Sequence, residues 1–248
     1  MLFNFKHFKR NKNFAKNNIK KSNFYKIIRE DLIKRVKLLQ RNFDKILILD
    51  NYDELFAKII KKEINSQTII FKFSDEIFED NNIYDLIILP FSMHFINNLN
   101  QFLIKIRDLL TKKGVFIAKT LGEGSLMNLY RKFTDLETKY HENHSLHIVP
   151  PIKREVLIKV LQTMGLSNIV IDYEQIKINS ISALDLIKKI KFLGDGNIML
   201  KKDLSNLSIL NKKIYEQLGN SDQKFLDSIF LLNLLFSKSK SFLDDKSK

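Results

Sequence analysis

Residues 24–41 carry Ile27, Ile28, Leu32, Val36 and Leu39 at the spacing of one helical face, with charged residues on the others, which predicts an amphipathic helix packed on a core. The period then changes. The run 45–50 (KILILD) is almost continuously apolar and ends in an acid, the pattern of a short parallel strand covered on both faces. Leu55, Phe56, Ile59, Ile60 and Ile64 restore helical spacing, with Asn51 and Asp53 ahead of them as caps. Residues 68–73 and 84–90 repeat the strand pattern on either side of an acidic loop at 74–82. Leu99, Phe102, Leu103, Ile106 and Leu110 predict a helix over 99–111, closed by Lys112, Lys113 and Gly114, with a further strand at 114–120. Strands alternating with helices of about ten to fifteen residues predict crossover units and a parallel sheet, an α/β fold.

Beyond 121 the pattern loosens into a Gly-bounded loop and helix, a helix over 153–164 stopped at Gly165, a strand at 168–179, helices at 182–192 and 203–219, and a last strand at 225–236. That last run is shorter than the ~18–20 apolar residues of a membrane helix and contains Asp227, so it reads as a buried strand. The expected division is a basic arm and amphipathic helix over 1–43, one domain over 44–239 with helical insertions at about 122–165 and 182–219, and a polar tail over 240–248.

Composition narrows the chemistry. With no Cys among 248 residues, disulfides, Cys-ligated zinc, iron–sulfur clusters and thiol nucleophiles are excluded. A hydrophobic share of 44% with 7 Gly and 3 Pro excludes a disordered chain. The net charge is +14, but Lys, Asn, Ile and Phe abound while Arg, Ala, Gly and Trp are scarce, the drift of an AT-rich genome, which weakens charge as evidence for a nucleic-acid partner. Residues 1–29 hold nine Lys/Arg and no acid. There Phe3, Phe5, Phe8 and Phe14 interleave with Lys6, Lys9, Arg10, Lys12 and Lys16, a pattern that suits base stacking along a polyanion or, the preferred reading, an arm whose aromatics dock on the domain or a partner. No secretory segment is visible, so the expected location is the bacterial cytoplasm, with peripheral inner-membrane contact through the basic arm.

The segments RNFDKILILD (41–50), YDLIILPFSMHFINNLNQFLIKIRDLLTKKGVFIAKTLGEGSLMNLY (84–130), HSLHIVPPI (144–152) and ALDLIKKIKFLGDGN (183–197) together resemble class I S-adenosylmethionine-dependent methyltransferases. The nearest branch is the methyltransferase-like complex I assembly factor of mitochondria and alphaproteobacteria, with the malonyl-acyl-carrier-protein methyltransferase of biotin synthesis as a cousin. The resemblance implies a Rossmann-like sheet whose last strand is antiparallel, and S-adenosylmethionine across the carboxyl ends of the first strands. It also implies a protein partner, a complex I subunit or an acyl carrier protein.

Against that frame the cofactor motif is missing. A nucleoside cofactor needs glycines after the first strand so that backbone can approach it, and the family has GxGxG there. This chain has Asp50-Asn51-Tyr52-Asp53-Glu54, for which Asn51 as a cap with Asp53 and Glu54 in the first helical turn is a sufficient structural explanation. Between Asp50 and Asp75 one helix and one strand fit where the family has two strands, so one βα unit is missing, and with it the acid that grips the ribose. Asp75 and Glu76 match the family's adenine-side acid, or belong to a solvated acidic loop with Glu79 and Asp80. With Asp50, Asn51, Asp53 and Phe91 they are the cofactor-side candidates.

His94 matches a family His at the mouth of the site and could accept a proton or orient substrate; hydrogen bonding of a loop His to backbone is the plainer alternative. Gly122, Glu123 and Ser125 would line a substrate cleft, or Gly122 and Gly124 simply permit a turn. His141, His144 and His147 beside Glu142 invite a metal reading, but Pro150 and Pro151 argue for a loop, and no metal is expected. His147 also falls in the family's substrate-side segment. The combined expectation is a methyltransferase-like protein with a degraded cofactor site that assembles or modifies a protein partner. The alternatives are a competent methyltransferase on a protein or acyl-carrier substrate, its arginine-hydroxylase variant included, and a basic RNA-binding module.

Overall fold

The computed structural model describes residues 3–50, 52–64, 66–140, 147–166, 168–196, 212–220 and 224–238. Its centre is a sheet of six strands: β1 (Lys45–Leu49), β2 (Thr68–Lys72), β3 (Tyr84–Leu89), β4 (Leu110–Leu121), β5 (Asn168–Ser180) and β6 (Phe225–Ser237), in the order β2-β1-β3-β4-β6-β5. The first four run parallel, and β6 is antiparallel to both β4 and β5. This is the expected α/β class with an antiparallel last strand. The sheet is one strand short of seven, because β2 pairs directly with β1, Ile46 opposite Ile69, and forms the edge itself.

Alternate residues of the central strands point to opposite faces and so to separate cores. Ile46, Ile48, Leu86, Ile88, Val115 and Ile117 meet helices α1 (Phe5–Lys21), α2 (Asn23–Leu38) and α3 (Glu54–Glu63). Leu47, Leu49, Ile87, Leu89, Phe116 and Ala118 meet α4 (Leu99–Leu109) and α6 (Arg154–Thr163) on the other face. A third cluster joins α5 (Met127–Lys139), α7 (Ala183–Phe192) and α8 (Lys212–Gly219). Part of the helix expected over 203–219 lies outside the described residues. The helix expected over 99–111 ends earlier, at Leu109: Leu110 already opens β4, and its backbone pairing to Tyr84 outweighs the cap expected at Lys112, Lys113 and Gly114.

The basic opening segment is a helix of 17 residues. Asn4 caps it by accepting from the His7 N–H, and Ser22 ends it and caps α2 by accepting from the Tyr25 N–H, so α1 and α2 meet at one residue. Phe8, Lys12, Ala15 and Ile19 form one buried stripe. Helix α2 is tied to the sheet by Lys119 of β4, fully buried, whose Nζ reaches Asp31 at 2.6 Å and the Asn233 side-chain oxygen at 2.6 Å. Arg35 bridges Asp31 and Asp172 beside it.

Candidate functional site

The carboxyl ends of β1, β2 and β3 are where an open α/β sheet binds ligands. Here Asp50 follows β1 in a left-handed conformation, φ 47°, and its carboxylate accepts from the Ser74 N–H at 2.9 Å and the Ser92 hydroxyl at 2.7 Å. Burial raises its pKa against those hydrogen bonds. Asp53 caps α3, accepting from the Leu55 N–H at 3.1 Å, and it forms a buried ion pair with Arg29 of α2. Asn51 itself lies outside the described residues. Tyr52 packs edge-on against Phe8 of α1 at 5.8 Å and lies on Phe73; its buried hydroxyl has no hydrogen-bond partner among the described residues. Asp75 and Glu76 are about half exposed and pair with Lys9 of α1, whose ammonium also sits 4.0 Å from the centre of the Phe73 ring.

Helix α1 therefore lies across this end of the sheet. It is locked there by Lys12, which is 1% exposed and meets Asp195, the Tyr25 hydroxyl and the Leu193 carbonyl. Gly194 lets the chain after α7 approach, since at φ 71° a Cβ there would come within 2.8 Å of the Asn11 carbonyl oxygen. Burial lowers the Lys12 pKa, opposed by Asp195, and raises that of Asp195, opposed by Lys12. Between Lys12, Arg29, Asp50, Tyr52 and Asp53 a cavity of about 20 Å³ remains. That holds about one water.

A second, larger cleft of about 1340 Å³ opens on the far side of Phe91. Phe91 walls both, packing edge-on against Phe24 at 5.2 Å and Tyr25 at 6.2 Å. His94 lines the larger cleft from a 3₁₀ turn (Met93–Phe95). Its Nδ1 accepts from the Leu121 N–H at 3.4 Å and lies 3.1 Å from the Thr120 hydroxyl, which assigns the proton to Nε2. Burial, aided by the charge of Lys12, lowers its pKa to about 3, so at neutral pH it is a hydrogen-bond donor and a very weak base.

Gly122, Glu123 and Ser125 sit after β4, where the resemblance puts a substrate edge. A Cβ on Gly122 would come within 2.8 Å of the Tyr173 ring, so packing requires that glycine. The Ser125 hydroxyl donates to the Gly122 carbonyl at 2.7 Å and accepts from the Phe230 N–H at 2.9 Å, pinning the loop to β6. Glu123 faces Lys153 at 3.7 Å near the surface. His147 lines the larger cleft, its Nε2 2.6 Å from the Glu137 carboxylate and its ring stacked on Phe133 at 4.1 Å. His141, His144 and Glu142 lie outside the described residues, and among the described residues no three His, Asp or Glu gather as a metal site.

No family model matches the chain. A Rickettsia prowazekii protein named "Putative methyltransferase RP459" is 33% identical over 160 residues, covering 64% of this chain and 70% of that protein. The chain belongs to the class I methyltransferase-like family. The mitochondrial arginine-hydroxylases NDUFAF5 of Dictyostelium discoideum and Homo sapiens are each 28% identical, over 156 and 116 residues, or 61% and 47% of this chain. The chain spans only 36% and 34% of those two proteins. Among solved structures, a Bacillus halodurans protein described as a "putative methyltransferase" superposes over 85% of this chain and 98% of its own, with TM-score 0.52 and 10% identity, a likeness of fold.

The family's cofactor is S-adenosylmethionine, and the residues at the end of β1 do not fit its nucleoside. Ligand pockets run about 300–1,000 Å³, and Lys12, Tyr52 and Phe56 line the remnant of about 20 Å³ described above. The larger cleft takes only Phe91 from the described cofactor-side candidates: Asp50, Asp53, Asp75 and Glu76 do not line it, nor does Tyr52. Sequence reasoning missed Lys12, Tyr25, Arg29 and Asp195 as the groups that close this end. One signal was present: Lys12 stands on the apolar stripe of α1 between Phe8 and Ala15, where an unpaired Lys would be expelled.

Proposed function

We propose that this methyltransferase-like protein no longer binds S-adenosylmethionine and serves as a non-catalytic scaffold that assembles or helps modify a protein partner. The observation that carries the reading is α1 lying over the end of β1, with Phe8 packed on Tyr52, Lys12 paired with Asp195 at the small remaining cavity, and Lys9 paired with Asp75 and Glu76. Reopening the position would strand Lys12, Asp195 and Tyr25 and expose Phe8, all buried or nearly so. The shared ancestry with arginine-hydroxylases supports a partner from the same setting, a complex I subunit, ahead of an acyl carrier protein. Among the described residues no helix is long and apolar enough to cross a membrane.

Titrating S-adenosylmethionine to 1 mM (about tenfold above a Kd of 100 µM) is expected to leave the melting temperature unchanged. Binding with that Kd would stabilise the protein by roughly 1.4 kcal/mol, or about 3–6 °C in a domain of this size. A shift of that size removes the scaffold reading. Loss of the gene is expected to lower assembled complex I on native gels, and an undisturbed complex would remove the assembly role.

A further inference from the structure

The larger cleft is used by nothing described so far. Its walls are apolar, built from Phe24 of α2, Leu126 before α5, Leu129 and Phe133 of α5, and Ile187 and Ile190 of α7. At its mouth Phe14 is 83% exposed and Phe192 62% exposed, and the two helices carrying them are linked by the Asn18 amide donating to the Phe192 carbonyl. Its ionic lining is one-sided. Among the described residues Asp195 is the only carboxylate lining it, and Lys12 already engages that group. Lys189 is held by Asp185 and Ser180. Lys21, Lys177 and Lys191, from three different elements, are exposed, and their ammonium groups make no ion pair or hydrogen bond among the described residues.

We propose that this cleft is a binding site for an anionic amphiphile: a hydrocarbon chain lying against the α5 and α7 walls, with a carboxylate-type head group among Lys21, Lys177 and Lys191. The physical case is complementarity on both counts. A ligand in an apolar cleft gains with each methylene the walls cover, about fourfold in affinity. Three exposed lysines lining it, unpaired among the described residues, favour an anionic head, by about a factor of five for each lysine near it, and disfavour a cationic one. The site is independent of the nucleoside position, from which Phe91 separates it, so it stands whether or not S-adenosylmethionine binds.

The test is isothermal calorimetry on the full chain with dodecanoate, dodecyltrimethylammonium and dodecyl maltoside, each below its micelle concentration. Dodecanoate is expected to bind one to one, at least about tenfold more tightly than either of the others, and to weaken with added salt. The surface variant Lys21→Glu/Lys177→Glu/Lys191→Glu is expected to lose about tenfold or more for dodecanoate while leaving dodecyl maltoside unchanged. Ile187→Trp, which takes up space at the wall, is expected to weaken all three alike. Equal affinity for the three head groups, or dodecanoate affinity unchanged in the lysine variant, overturns the proposal.

Discussion

Lys12→Met is expected to destabilise the protein by about 3–5 kcal/mol, read as a fall in the urea midpoint at constant slope. The substitution keeps the length and apolar stem of the side chain but removes the partner of a buried carboxylate. Among the described residues the Asp195 carboxylate would then keep the Tyr25 hydroxyl, 3.1 Å away, as its partner, in a site where burial already raises its pKa. The loss should shrink in acid, where Asp195 can take up a proton in the folded state. Adding Asp195→Asn is expected to recover most of the stability, because replacing both members of a buried pair removes the desolvation cost together with the attraction. Hydrogen exchange should localise the single variant's effect to 5–21 and the segment after α7. If Lys12→Met stays within about 1 kcal/mol of the parent, or the double variant is no more stable than the single, then α1 is not locked by this cluster.

The difference between what was legible in the chain and what was not follows from the kind of signal each element carries. The runs at 45–50, 84–90 and 114–120 announce themselves because strands buried on both faces need uninterrupted apolar residues, and the sheet order follows once helices separate them. The missing βα unit could be read from spacing alone, since no crossover and second strand fit between Asp50 and Asp75. Where β2 would then sit could not, because its moderate Ile and Phe content suits an edge as well as an interior. The junction of α4 and β4 was misplaced because Thr111, Lys112 and Lys113 read as a helix end, whereas pairing with β3 draws them into the strand.

Helix α1 was the least legible part. Its stripe of Phe8, Ala15 and Ile19 is thin and contains Lys12, so charge dominated the reading, and the partner that makes a buried Lys tolerable comes from Asp195, 183 residues away. The same distance hid the site: Asp50, Tyr52 and Asp53 looked like altered cofactor contacts, and their roles as anchor, aromatic support and cap with an Arg partner depend on α1, α2 and the loop at Ser92.

His94 should make the protein lose stability in acid over a defined window. The unfolded chain binds a proton at the ordinary imidazole pKa near 6.5, whereas the folded chain, with the ring buried and Lys12 nearby, binds it only near 3. Above pH 6.5 both states are neutral and the ring contributes no pH dependence. As pH falls from about 6.5 towards 3 the unfolded state alone gains the proton, and stability should drop by about 1.4 kcal/mol per unit, then level off. Asp50 and Asp195, whose pKa values are raised in the folded state, act in the opposite sense towards the acid end, so the parent curve alone is ambiguous. His94→Gln resolves it: the amide oxygen can still accept from the Leu121 N–H, but nothing titrates. The expected result is a variant offset at neutral pH by lost ring packing against Phe91 and Phe95, whose stability falls less steeply from pH 6.5 to 4 than the parent's. Parallel curves over that window would mean that the imidazole is hydrated and titrates normally, and would return it to the set of groups able to act as a base at neutral pH.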